Sequence, residues 1–122
     1  MRYIQSVGFT GTRQGMSHEQ KMQLRLLLRS ILGGTKTFNH GGAIGADRQA
    51  ASLVKLFVPR VDAVCFPAGR DPLGRNRKIV AASQILIAAP ATDEEIIRSG
   101  TWATVRYARA AGIPVIHLSR GE

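Results

Sequence analysis

The residues best suited to chemistry lie in four short segments rich in glycine, hydroxyl and guanidinium groups. The first is Thr10-Gly11-Thr12-Arg13. Glycine there lets backbone N–H groups approach an oxygen-rich ligand closely, and the hydroxyls and Arg13 add donors. It is neither a Walker A loop nor a G-x-G-x-x-G, so an ordinary tight turn is the competing reading. The second is Gly41-Gly42-Ala43-Ile44-Gly45-Ala46-Asp47. Two glycines followed by a third at a helix start read as an anion cradle. Asp47, in the first helical turn, reads either as a cap or as an acceptor for ribose hydroxyls. The ligand role is favoured, because closely spaced glycines carry an entropic cost that a plain turn does not require. The third is Arg75-Asn76-Arg77-Lys78, whose two arginines are too close to share a helical face. One is expected at a cleft and the other in solvent. The fourth is Arg98-Ser99-Gly100-Thr101-Trp102-Ala103-Thr104. Ser99 or Thr101 is expected to cap a helix whose open N–H groups point at a phosphate, and Trp102 reads as a core residue.

Together these segments give a site expectation. Backbone N–H groups at Gly11, Gly42 and Gly100, with Thr12, Ser99 and Thr101, hold phosphates. Arg13 and Arg77 neutralise charge, and Asp47 holds ribose. Thr10, Gly41, Ala43, Gly45 and Arg75 complete the lining. Among the histidines, His40 alone stands beside a glycine loop, and no Ser-His-Asp or Cys-His arrangement is suggested by His18, His40 and His117. Cys65 reads as a core thiol in an apolar strand. With one cysteine there is no internal disulfide, and without a Cys/His cluster no zinc site is expected. No cofactor is implied.

The elements that must position these groups alternate along the chain. Val7-Gly8-Phe9 ends a first strand, and Thr10 to Gly15 form a loop. Ser17 and Gln20 have the spacing of a capping box. Leu24, Leu27, Leu28 and Ile31 fall on one helical stripe, which Gly33-Gly34 stops. Thr35 to Asn39 is a second strand, and a helix runs from Ala46-Asp47 to about Phe57. Val61 to Phe66 is a third strand, Pro67 to Gly74 a loop and Arg75 to Ala82 a short helix. Ile85 to Ala89 is an unbroken apolar run, which suits a strand buried on both faces. Thr101 to Ala111 is helical, Gly112 caps it, and Pro114 to Leu118 is the last strand. The pattern predicts an α/β, Rossmann-like three-layer sandwich with a mainly parallel sheet of about five strands. Ligands of such folds bind beyond the carboxyl ends of the strands, where strand order reverses, and the glycine-rich segments fall on that edge.

The chain has 122 residues, 44% of them hydrophobic, and a formal charge of +9. That length suits one domain, spanning residues 1–122, with a real core. The charge favours anionic partners without choosing among them. The apolar runs are too short to span a membrane, and the N-terminus lacks the regions of a secretory signal, so a cytoplasmic protein is expected. Met22 and Leu26 lie off the main stripe of the first helix, which points to a partner face and a homo-oligomer, at least a dimer.

The four segments in this order resemble the SLOG superfamily. It includes the LONELY GUY (lysine-decarboxylase-like) phosphoribohydrolases, the DNA-processing protein DprA and small stand-alone YpsA-related proteins. The likeness is strongest to the YpsA-related group, through Gly8-Phe9-Thr10-Gly11-Thr12-Arg13, Gly41 to Asp47, Arg75-Asn76-Arg77 and Arg98 to Trp102. It implies a Rossmann-like fold, a dimer or tetramer, and a nucleotide or ADP-ribose-like ligand, held by a sensor or sequestering protein in phage defence or anti-defence signalling. The phosphoribohydrolases carry an Arg-Lys pair and then P-G-G-x-G-T-x-x-E. Arg77-Lys78 match the pair and Gly100-Thr101 the G-T, but Thr104 stands at the glutamate. Threonine cannot serve as the carboxylate base, and Asp93, Glu94 and Glu95 substitute only if their loop folds back. The resemblance therefore implies binding in preference to nucleoside-monophosphate N-glycoside hydrolysis. Single-stranded nucleic-acid binding ranks third, because aromatics are 6% of the chain and Trp102, Phe9, Phe38 and Phe66 read as buried.

Overall fold

A computed structural model describes residues 4–30 and 34–121. Ile31 and Gly33, assigned above to the end of the first helix, lie outside the described residues. The element order is β1 (Ser6–Gly11), α1 (His18–Arg29), β2 (Thr37–His40), α2 (Ala46–Phe57), β3 (Asp62–Cys65), α3 (Pro72–Ala81), β4 (Ile85–Ala89), α4 (Gly100–Ala110) and β5 (Val115–His117). The strands form one sheet in the order β3-β2-β1-β4-β5, with every neighbouring pair parallel. The expected α/β, Rossmann-like architecture is what the chain adopts.

Apolar alternation along β4 explains how both faces are covered. Ile85, Ile87 and Ala89 join Val7, Phe9, Leu24, Leu28, Phe38 and Val54 in one core, on the α1 and α2 side. Leu86 and Ala88 join Val80, Trp102, Val105 and Ala108 in the other, on the α3 and α4 side. The capping box at α1 forms as the spacing predicts, with the Ser17 Oγ accepting from the Gln20 N–H. Gln20 is also fully buried. Its amide donates to the carbonyls of Pro90 and Leu118, tying the start of α1 to the ends of β4 and β5. Such a bond satisfies carbonyls that a buried loop would otherwise leave unpaired.

Several boundaries differ from the sequence expectation, each for a tertiary reason. β1 continues through Thr10 and Gly11, because Gly11 still pairs with Ala89 of β4. β2 starts at Thr37 and not Thr35, whose hydroxyl instead donates to the Ile4 carbonyl. α3 begins at Pro72 and not Arg75: Asp71 is its N-cap, accepting from the Gly74 N–H, with proline in the first turn. β3 is an edge strand exposed along its length, so Cys65 is an exposed thiol and not a core one. Phe66, just beyond it, is only half-buried. No helix among the described residues is long and apolar enough to cross a membrane.

Candidate functional site

Strand order reverses between β1 and β4, since β1 leads to β2 on one side while β4 lies on the other. A cleft of about 310 Å³ opens at the carboxyl ends of these strands. It is lined by Thr10, Gly11, Thr12 and Arg13 after β1, Ala43 and Asp47 around the start of α2, Pro72, Leu73, Arg75 and Asn76 of α3, and Ser99, Gly100 and Thr101 at the start of α4. The four segments singled out by sequence thus converge on one space. Gly41, Gly42, Gly45 and Arg77 lie outside the lining.

The glycine loop after β2 is closed upon itself. Asp47 is 6% exposed. Its Oδ2 accepts from the N–H groups of Gly41 at 3.1 Å and Ala43 at 3.4 Å. The Gly42 N–H donates to His40 Nδ1 at 3.0 Å. The anion that this loop cradles is therefore the protein's own carboxylate, and the Gly42 N–H expected to meet a phosphate is engaged by His40. Asp47 Oδ1 is buried and has no hydrogen-bond partner among the described residues. Burial raises the Asp47 carboxyl above its ordinary value, against the opposing pull of the two N–H groups and the Arg75 charge. Burial, and then the Arg75 charge, lower His40.

Arg75 works as a clasp. Its Nη1 donates to the Gly41 carbonyl at 2.7 Å and the Phe66 carbonyl at 3.1 Å, and its Nε donates to Asn76 Oδ1 at 2.7 Å. The guanidinium thereby joins the loops after β2 and β3 to α3 while it lines the cleft. A Cβ on Gly41 would run into that guanidinium. Gly45, at φ +94°, packs against the Arg13 and Thr12 carbonyls, where a Cβ has no room. The Ala46 N–H donates to the Thr12 carbonyl at 2.9 Å, so the two glycine segments are one interlocked unit.

The Thr12 N–H donates to the Ala89 carbonyl at 3.0 Å, and the open donors are Arg13 and the start of α4. Arg13 is exposed, with no hydrogen-bond or ion-pair partner among the described residues. Ser99 caps α4, its Oγ accepting from the Trp102 N–H at 3.2 Å. The Gly100 and Thr101 N–H groups sit at positions that have no intrahelical acceptor. A Cβ on Gly100 would meet open space.

Of the acidic residues considered as substitutes for a catalytic glutamate, Asp93 and Glu95 are committed elsewhere and Glu94 does not line the cleft. Asp93 accepts from the Arg120 N–H at 2.8 Å and the Ser119 hydroxyl at 3.2 Å, and it pairs with His117 at 3.1 Å. Glu95 pairs with Arg106 at 2.9 Å, and Glu94 is exposed. Thr104 donates its hydroxyl to the Gly100 carbonyl at 2.9 Å and lines a different, smaller groove. Asp47 is the one carboxylate that lines the cleft among the described residues.

No family model and no curated protein matches this sequence. Among solved structures, DNA processing protein A from Helicobacter pylori superposes with a TM-score of 0.65 at 18% identity. The match covers 94% of this chain and 65% of that one, so the chain spans under two thirds of that protein's length. The structure of that protein concerns its binding of single-stranded DNA. At this identity the likeness shows a shared fold.

Sequence reasoning missed Pro72, Leu73 and Asn76 as lining residues. Asp71-Pro72 is a helix-start signal, a capping residue followed by proline at the first helical position. A helix starting there puts Leu73 and Asn76, at i and i+3, on one face.

Proposed function

We propose that this protein, as a single SLOG-like nucleotide-binding domain, holds a nucleotide or nucleotide-derived ligand in the switch-point cleft without hydrolysing it. The observation that carries this is the pairing of open donors with a committed carboxylate. Arg13, the Thr12 hydroxyl and the α4 N-terminus offer positive potential and N–H groups to a phosphate. The cleft volume of about 310 Å³ lies at the small end of ligand sites and suits one nucleotide unit. Hydrolysis of an N-glycosidic bond needs a carboxylate free to act as a base or to stabilise developing positive charge. Asp47 already spends Oδ2 on two loop N–H groups.

Calorimetric titration with AMP, NAD, ADP-ribose and its cyclic forms tests the binding. Heat with at least one is expected, and none from a well-folded sample would end the proposal. Incubation with AMP is expected to release no free base. Release that is lost in Asp47→Asn would establish the hydrolase instead.

A second reading, single-stranded nucleic-acid binding, is favoured by the fold shared with the DNA-binding neighbour and by the +9 charge. Salt-sensitive binding of a labelled oligonucleotide far tighter than any mononucleotide is its signature. The exposed Met22 and Leu26 on α1 support a homo-oligomer, and light scattering is expected to give a mass above that of one chain.

A further inference from the structure

Arg77 and Tyr107 have no part in the cleft described above. They lie in a groove of about 90 Å³ between α3 and α4, whose walls are Leu73, Asn76, Arg77, Ala103, Thr104 and Tyr107. Leu73 and Asn76 also line the switch-point cleft, so the two spaces share a wall. The lining positions of α3 are spaced i, i+3, i+4 and those of α4 i, i+1, i+4, one face of each helix. The Arg77 guanidinium sits 5.4 Å from the centroid of the Tyr107 ring. Tyr107 is 38% exposed, and Arg77 has no ion-pair partner among the described residues. No carboxylate lines the groove. The groove stays open there because Ala103 is small and the Thr104 hydroxyl turns back to the Gly100 carbonyl. From Gly100 in the cleft to Tyr107 is about 10 Å along the helix, a reach suited to one further nucleoside unit.

We propose that this groove is a second nucleoside subsite, so that the full ligand is two nucleoside units joined through phosphate. The proposal rests on reading the adjoining cleft as a nucleotide site. The base of the second unit lies against the Tyr107 ring, and a phosphate of the ligand meets Arg77. An exposed ring beside an unpaired guanidinium is the combination with which sequence-tolerant nucleotide binding is achieved, by stacking and charge together. The same chemistry is presented by a 3′–5′ linked strand and by a pyrophosphate-linked dinucleotide, and the test separates them.

The full chain is titrated with AMP, with the 5′-phosphorylated dinucleotide pApA and with NAD. At least one two-unit probe is expected to bind tenfold or more tightly than AMP. If pApA alone gains, the ligand is a strand; if NAD alone gains, it is a pyrophosphate-linked molecule. Tyr107→Leu and Arg77→Gln are expected to abolish the gain while leaving the AMP affinity and the melting temperature unchanged, and Tyr107→Phe to keep it. Equal affinity for all three probes, or a gain that survives both substitutions, overturns the subsite. If AMP fails to bind but a two-unit probe binds in a Tyr107-dependent way, the subsite stands and the cleft reading falls. If no probe binds, both fall.

Discussion

Asp47 and His40 are both buried and flank the chain's second glycine loop, and they titrate with opposite consequences. The native Asp47 carboxyl is raised above 3.8. Between that value and its native one the folded state holds the proton more strongly, so stability falls as pH rises through the window. His40 is lowered from 6.5. Below 6.5 the unfolded chain binds the extra proton, so stability falls as pH drops through that window. Asp47→Asn removes the first effect and leaves the second. Its urea midpoint is therefore expected to gain on that of wild type as pH rises from 3.8 to the raised native value, and parallel curves would show that the carboxyl titrates at its ordinary value. Arg13 is the contrasting residue, exposed and without an ion-pair partner among the described residues. Arg13→Gln is expected to weaken nucleotide binding about tenfold or more, the worth of one charge-assisted hydrogen bond. Its unfolding free energy should move by no more than about 0.5 kcal/mol. The place of Arg13 in the cleft lining was legible in the sequence, because it follows a strand whose carboxyl end faces that edge. The orphan Oδ1 of Asp47 was not, because it arises from how tightly the loop closes over the side chain.

Among the elements, the cleft depends on loops held by contacts distant in sequence. Arg75→Ala removes the bonds to the Gly41 and Phe66 carbonyls. It is expected to cost about 1–3 kcal/mol in denaturant unfolding, and binding should weaken with it. Arg75→Lys is expected to rescue little, since one ammonium cannot reproduce the fork. Ser99→Ala removes the α4 cap. A loss of about 1 kcal/mol is expected, together with a rise in Kd for phosphate-bearing ligands, because the helix end that meets them frays. A rise in Kd without any loss of stability would make Ser99 a direct ligand contact instead. Helix and strand identities were well marked by local pattern: the apolar run of β4, the capping box of α1 and the glycine after α4 all stand where the sequence puts them. The start of α3 was not, because the prolines and glycines between Pro67 and Gly74 have the composition of a loop and mask the helix-start signal at Asp71-Pro72.

For the whole molecule, a formal charge of +9 bears on partners more than on fold. If the ligand is a single strand, log affinity should fall with log salt by about 0.7 for each phosphate neutralised. The slope for an oligonucleotide would then exceed that for AMP by several phosphates. Equal slopes would confine the contact to one nucleotide unit. The sequence by itself determined the alternation of strands and helices, the parallel sheet and the edge on which the glycine-rich segments gather. Those follow from short-range periodicity and from the handedness of strand–helix–strand connections. Only the tertiary structure decided how the donors on that edge are divided. It assigned the second glycine loop to the protein's own carboxylate, Arg75 to the loops it clasps, and Arg13 with the α4 N-terminus to the open cleft. It also set Arg77 over Tyr107, in a groove that no single segment announces. The physical reason is that a hydrogen bond or a stacked pair depends on which chain segments meet in space, and residue type fixes only what each group could offer when they do.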